Sequence, residues 1–90
     1  MEVWFVYLIR CTNDSLYCGI AKDPEKRFKS HVSGKGARYT RIYAPLELVY
    51  REGPFTHGHA LRRERQIKLL PRIIKSQLVL SYSETSRDMP

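Results

Sequence analysis

Residues 3–10, VWFVYLIR, are β-branched, aromatic and aliphatic almost without interruption, which is the pattern of a strand covered on both faces rather than of an exposed edge. Thr12-Asn13-Asp14-Ser15 follows, a cluster of side chains that bond their own backbone in turns. Leu16-Tyr17-Cys18-Gly19-Ile20 then resumes the apolar run, so the opening predicts a hairpin. Asp23 as N-cap, Pro24 at the first helical position and Glu25 in the first turn start a helix that runs to about Ser33. Gly34 ends it, and the stretch from Gly34 to Arg41 reads as a mobile basic loop without a period. Leu46 to Arg51 alternates before the Gly53-Pro54 breaker and gives a third strand, preceded by Pro45. Thr56 caps a second helix over 57–69. Pro71 opens a third, from Arg72 to about Leu80, with Ile73, Ile74, Gln77 and Leu78 on its apolar side. Ser81 to Pro90 is polar and is expected as a flexible C-terminal tail. The expected fold is thus one α/β (α+β) domain over 1–80, a small three-stranded, mainly antiparallel sheet flanked by helices in the order ββαβαα, with a tail over 81–90.

Composition narrows the class. Ninety residues sustain one thin core. No apolar run reaches the ~18–20 residues of a membrane span, and the first apolar stretch follows Glu2 rather than a basic segment, so no membrane partner is expected and a cytoplasmic location is. Cys11 and Cys18 are too few for a disulfide scaffold, and their spacing matches no zinc-ligand or redox pattern. Sixteen Lys and Arg against nine Asp and Glu leave a net charge of +7, which favours an anionic partner, nucleic acid first.

Several residues then stand out as chemistry. Arg27 and His31 are four apart and share one face of the first helix, with Phe28 and Val32 on the neighbouring face to hold it on the sheet. A phosphate can meet both polar groups there; the plainer alternative is a solvated arginine and a helix-terminal histidine. Glu64 lies among Ala60, Leu61 and Ile67 on the inner stripe of the second helix. A carboxylate so placed needs a cation, either an arginine (Arg27, or nearby Arg62, Arg63 or Arg65) or a hard metal ion such as Mg²⁺ or Mn²⁺. Tyr7 and Tyr17, on adjacent hairpin strands, line one patch if both face the first helix, although tyrosine is also simply a good strand residue. Gly19 within a strand suggests close approach of another group. Lys35, Arg38 and Arg41, interleaved with Tyr39 and Tyr43, form either a phosphate-and-stacking surface or a solvated loop. His57 and His59, two apart at a helix start, point in different directions and are not expected to share a metal.

In order along the chain, Val6-Tyr7-Leu8-Ile9, Leu16-Tyr17-Cys18-Gly19-Ile20, Asp23 to His31, Gly34-Lys35-Gly36-Ala37, Thr40-Arg41 and Ala60-Leu61-Arg62-Arg63-Glu64 resemble a GIY-YIG nuclease domain to about Leu80. The nearest likeness is to its stand-alone, single-domain bacterial branch, catalogued as an uncharacterised protein family. The chain is also similar to the nuclease domain of the eukaryotic structure-specific endonuclease that works with a scaffold partner.

The resemblance implies metal-dependent hydrolysis of phosphodiester bonds in nucleic acid, with DNA carrying structural features as the expected substrate and Mg²⁺ or Mn²⁺ as cofactor. It implies Glu64 as the metal carboxylate, Arg27 as the group that steadies phosphate charge, Tyr7 as general base with Tyr17 supporting, and His31 as a base or hydrogen-bond partner. Where some members carry a basic residue after the second motif's glycine, this chain has Ile20, with Lys22 two positions on as its stand-in; the Asn many members place near the end of the domain has no counterpart. Substrate choice is expected from the domain itself or from a partner protein. Two other readings remain at this stage, a non-catalytic nucleic-acid-binding module on the same fold and a protein-interaction module docking an acidic partner.

Overall fold

The computed structural model describes residues 3–88. Three strands, β1 (Trp4–Cys11), β2 (Leu16–Ala21) and β3 (Pro45–Phe55), and four helices, α1 (Pro24–Val32), α2 (Arg38–Ile42), α3 (His57–Leu69) and α4 (Arg72–Asp88), make up an α+β fold. The strands pair antiparallel in the order β2-β1-β3. The unbroken apolar run therefore forms the central strand, and alternation sends its side chains to opposite faces. Val6 and Leu8 pack with Cys18, Tyr50, Ala60 and Ile67 beneath α3 and α4. Tyr7, Ile9 and Cys11 pack with Ala21, Tyr17, Phe28 and Leu48 on the face that α1 covers.

The hairpin, the Asp23 cap and α3 fall where the sequence predicts. Asp23 Oδ1 accepts from the Lys26 N–H at 3.1 Å, and Thr56 Oγ1 accepts from the His59 N–H at 3.2 Å, each satisfying an N–H that the helix leaves free. Ile67 is fully buried between α3 and the sheet. Ile67→Ala is expected to cost about 2–5 kcal/mol, read as a lower urea midpoint with unchanged slope; a loss below about 1 kcal/mol would mean that α3 is not held through this contact.

Five expectations are corrected. The basic stretch after Gly34 is not a mobile loop throughout: residues 38–42 form α2. β3 continues through Gly53-Pro54 to Phe55, because it is an edge strand where a missing N–H costs no ladder bond, and Gly53 at φ +147° takes a backbone conformation rare for other residues. α4 runs on to Asp88, so 81–88 is helical rather than a loose tail; Tyr82 packs edge-on against Tyr50, ring centroids 5.6 Å apart, and residues 89–90 lie outside the described range. Its buried side carries Leu78, Val79 and Tyr82, leaving Ile73 and Ile74 exposed. On α1, Phe28 packs on the sheet as expected, but Val32 faces solvent and His31 is the buried residue.

Candidate active site

The α1 face of the sheet gathers four of the five expected residues. Tyr7 sits opposite Gly19 in the β1–β2 register, and its phenol lies across that glycine. A Cβ there would stand 2.5 Å from the Tyr7 hydroxyl oxygen, so glycine is required for the phenol to take this place. In the last turn of α1, His31 is 1% exposed, and its Nε2 is 2.9 Å from the Tyr7 hydroxyl. Tyr17 points to the same side, its ring edge-on to His31 at 5.2 Å between centroids. Arg27, one turn before His31 on the same helix face, acts on Tyr7 by hydrogen bonding and charge and on Tyr17 and His31 by charge. It lines a shallow hollow with Lys22, Lys26 and Ser30.

Glu64 approaches from the other side. α3 packs on the opposite face of the sheet, yet the Glu64 carboxylate bears electrostatically on Tyr17 and on Cys18, neighbours on β2. β2 is an edge strand, and Tyr17 feels Arg27 from one face and Glu64 from the other. Tyr7, Tyr17, Arg27 and His31 thus share the α1 face, and Glu64, on the α3 side, reaches this group through its charge on Tyr17 at the β2 edge.

The Glu64 side chain is only 20% exposed, and the cation beside it is Lys68, one turn on at 3.5 Å, not an arginine. Arg63 instead makes a two-pronged pair with Glu52, Nε to Oε1 at 2.6 Å and Nη2 to Oε2 at 3.1 Å, while Tyr50 donates to the same carboxylate. A single half-buried oxygen donor paired loosely with an exposed lysine suits Mg²⁺ or Mn²⁺, which take one carboxylate and fill the remaining positions with water and phosphate oxygens. Among the described residues no group of three or more His, Cys, Asp or Glu is placed to enclose a metal, so a site at Glu64 would be of this open kind. His57 packs at a tilt against Trp4, ring centroids 4.4 Å apart, and His59 against Phe55 at 4.4 Å, each histidine on its own aromatic partner.

Burial governs the protonation of the site. It pushes the Tyr7 phenol up to about 12, helped by Tyr17 and opposed by Arg27, and it raises Tyr17 against the pull of Lys68 and Arg27. Burial, with the Arg27 charge adding, lowers His31 below its ordinary 6.5. The imidazole is therefore neutral at pH 7 and able to accept a proton, whereas the phenol beside it is protonated.

The basic residues divide. Lys35, Arg38 and Arg41 are exposed, and Lys22 Nζ lies over the Trp4 ring, 5.5 Å from its centroid. Tyr39 serves as a strut: it stacks on Tyr17 at 5.8 Å, donates to Ser15 Oγ at 2.5 Å and accepts from Asn13 Nδ2 at 3.1 Å, tying α2 to the hairpin turn.

Two further residues of the site were given no role by the sequence. Thr40 is 2% exposed, with Oγ1 2.7 Å from His31 Nδ1, and Gly36 lies so close that a Cβ would overlap the imidazole. Both lie in fragments that resemble the family, Gly34-Lys35-Gly36-Ala37 and Thr40-Arg41, but nothing in their spacing assigned either a role.

Residues 3–73 match the model of the GIY-YIG catalytic domain. The chain belongs to the GIY-YIG family. It is 49% identical over 79 residues to a UPF0213 protein of Pseudomonas aeruginosa, covering 88% of this chain and 76% of that one. Against a UPF0213 protein of Staphylococcus epidermidis it is 46% identical over 79 residues, covering 88% and 96%. The solution NMR structure of a UPF0213 protein from Bacillus halodurans is similar at a TM-score of 0.53 and 41% identity, over 84% of this chain and 81% of that one. GIY-YIG membership implies a nuclease-like function on nucleic acid, and enzymes of this family generally depend on a divalent metal. Among the described residues no helix is long and apolar enough to cross a membrane.

Proposed function

We propose that this GIY-YIG domain hydrolyses phosphodiester bonds in DNA, using Tyr7, Tyr17, Arg27 and His31 with a divalent cation, Mg²⁺ or Mn²⁺, held at Glu64. The observation that carries the reading is the 2.9 Å contact between the Tyr7 hydroxyl and His31 Nε2, a buried phenol paired with a neutral imidazole one helical turn from Arg27. A phenol held up at about 12 is a weak base by itself. Paired with a proton acceptor, it can receive the proton of an attacking water on its oxygen while its own proton passes to His31 Nε2. The same burial that raises the phenol keeps the imidazole neutral and ready for that proton.

Arg27 is the group for the non-bridging phosphate oxygens, where its planar fork makes two parallel hydrogen bonds and offsets charge that grows in the transition state. Tyr17, between Arg27 and Glu64 in its electrostatics, would orient water and phosphate at the β2 edge. A cation at Glu64 supplies polarisation of the phosphoryl group and charge for the departing oxygen. Lys22, Lys35, Arg38 and Arg41 contact further phosphates of the strand, giving affinity without sequence choice.

Nicked, branched and linear DNA incubated with Mg²⁺ or Mn²⁺ test the reading. Cleavage is expected to require the metal and to fall by about 10²–10³ in Arg27→Ala. Binding measured without metal should weaken much less and should show a steep negative slope of log affinity on log salt. Cutting at the wild-type rate by folded Arg27→Ala protein would remove the arginine from the mechanism, and no cleavage of any of these DNAs by the wild-type protein would overturn the nuclease reading.

A further inference from the structure

We infer that Thr40 is a positioning residue that fixes the tautomer of His31, so that the bare ring nitrogen is the one facing Tyr7. This rests on the reading of Tyr7 and His31 as the proton-handling pair and adds a third member from α2. A threonine hydroxyl has one proton to give. Thr40 Oγ1 lies 2.9 Å from the Ala37 carbonyl oxygen, which can only accept, so the hydroxyl donates there. Its oxygen is then left as an acceptor for His31 Nδ1 at 2.7 Å, which places the ring proton on Nδ1. With Nδ1 protonated, the neutral ring has its lone pair on Nε2, 2.9 Å from the Tyr7 hydroxyl. Tyr7 therefore donates to His31, the direction in which a proton must leave the phenol when the phenol takes one from water.

The competing tautomer is built into the same turn. The Ala37 N–H points at Nδ1 from 3.4 Å and would donate to it if that nitrogen were bare. In that state Nε2–H would donate to the Tyr7 oxygen and have no lone pair to receive its proton. Two observations make the first tautomer the better satisfied. The ring contacts at 2.7 and 2.9 Å are common to both tautomers and the Ala37 N–H contact that only the alternative uses is the long one at 3.4 Å, and the alternative leaves the Thr40 oxygen and the Ala37 carbonyl oxygen 2.9 Å apart with no proton between them if the hydroxyl turns to Nδ1. The selection depends on how tightly the turn is seated. Gly36 admits the backbone against the imidazole, and Tyr39, next to Thr40, is lashed to Ser15 and Asn13.

Nitrogen-15 NMR of uniformly labelled, metal-free protein at pH 7.5 reads the tautomer directly, without DNA. Wild type is expected to show His31 protonated on Nδ1 with Nε2 bare. Thr40→Val, which keeps the shape and removes the hydroxyl, is expected to move the proton to Nε2, and Thr40→Ser to leave it on Nδ1. In cleavage assays Thr40→Val should lower kcat by about 10–100-fold with KM within about twofold, and Thr40→Ser should stay within about threefold of wild type. A proton on Nε2 in the wild-type protein overturns the inference whatever the variants do, as does Thr40→Val retaining both tautomer and kcat. If Thr40→Val does not fold, the wild-type and Thr40→Ser spectra still decide. Wild-type protein that cleaves no DNA but carries the proton on Nδ1 would sink the nuclease reading while leaving the role of Thr40 on the tautomer intact.

Discussion

Glu64→Gln is expected to leave the fold intact and to remove metal-stimulated cleavage by at least about 10²–10³. The two side chains have the same shape, and the ion pair lost with Lys68 is a loose one at 3.5 Å to a half-exposed lysine, of a kind worth at most about 1 kcal/mol. A thermal midpoint within a few degrees of wild type is therefore expected. What disappears is the formal charge of the single oxygen donor that suits a hard cation at the β2 edge. An amide oxygen holds Mg²⁺ far less tightly, so raising the metal concentration should restore part of the rate, and Mn²⁺ should restore more at equal concentration. Wild-type cleavage by this variant at low Mg²⁺ would show that the carboxylate holds no essential cation, and the role of Glu64 would revert to a helix-surface partner of Lys68.

Tyr7→Phe is expected to lower kcat by about 10²–10⁴ with little change in DNA affinity, since the ring remains over Gly19 and only the hydroxyl is removed. His31 Nε2 then loses its partner while buried, which should cost about 1–3 kcal/mol of stability. Both effects turn on the neutral imidazole and give a pH signature. His31 is lowered from 6.5 by burial, with the Arg27 charge adding. On acidification the unfolded chain takes up that proton before the folded one does. The unfolded state then binds more protons, so stability rises with pH across the window just below 6.5 and is fully present above it. The wild-type rate should accordingly hold to somewhat below pH 6.5 before it falls. Glu52 sets a separate, more acidic window. Its burial pushes the carboxyl up, but hydrogen bonds from Arg63 and Tyr50 and the charges of Arg63 and His59 leave it below its ordinary 4.5, so its contribution is present above about pH 4.5 and is lost under more acid conditions. A rate that falls well above pH 6.5, or urea midpoints that do not change between pH 5 and 7, would contradict a buried neutral His31.

What the sequence disclosed was local. The Asp23-Pro24 start of α1, the span of α3 and the central position of the first apolar run all follow from short-range chemistry, in which capping oxygens, a fixed proline φ and the density of β-branched residues act within a few residues of where they stand. What the chain concealed depends on partners distant in sequence. α2 is a five-residue helix with no side-chain cap, too short to stand by propensity; Tyr39 holds it through Ser15, Asn13 and Tyr17, more than twenty residues away. The C-terminal half of α4 lacks a continuous apolar stripe and is seated by Tyr82 on Tyr50. Val32 was expected to face the sheet, and His31 took that place because Tyr7 and Thr40 together satisfy both ring nitrogens, which makes burial of a polar ring affordable. For the candidate site, Arg27, His31, Tyr7, Tyr17 and Glu64 were legible as chemistry, whereas the placement of Glu64 on the other side of the sheet, bearing on Tyr17 at an edge strand, was not.

The two-pronged Arg63–Glu52 pair bears on that placement. Each step along an α-helix turns the side-chain direction by about 100°, so clamping one position dictates where its successor aims. Arg63 immediately precedes Glu64, and its fork is gripped by a carboxylate on β3 that Tyr50 also steadies. The helix therefore cannot roll about its own axis: a spindle keyed to the sheet at one notch keeps the next tooth in register. Loosening that key would swing the lone carboxylate off its mark by a fraction of a turn, which couples the rigidity of a distant β3 crossbar to the aim of Glu64.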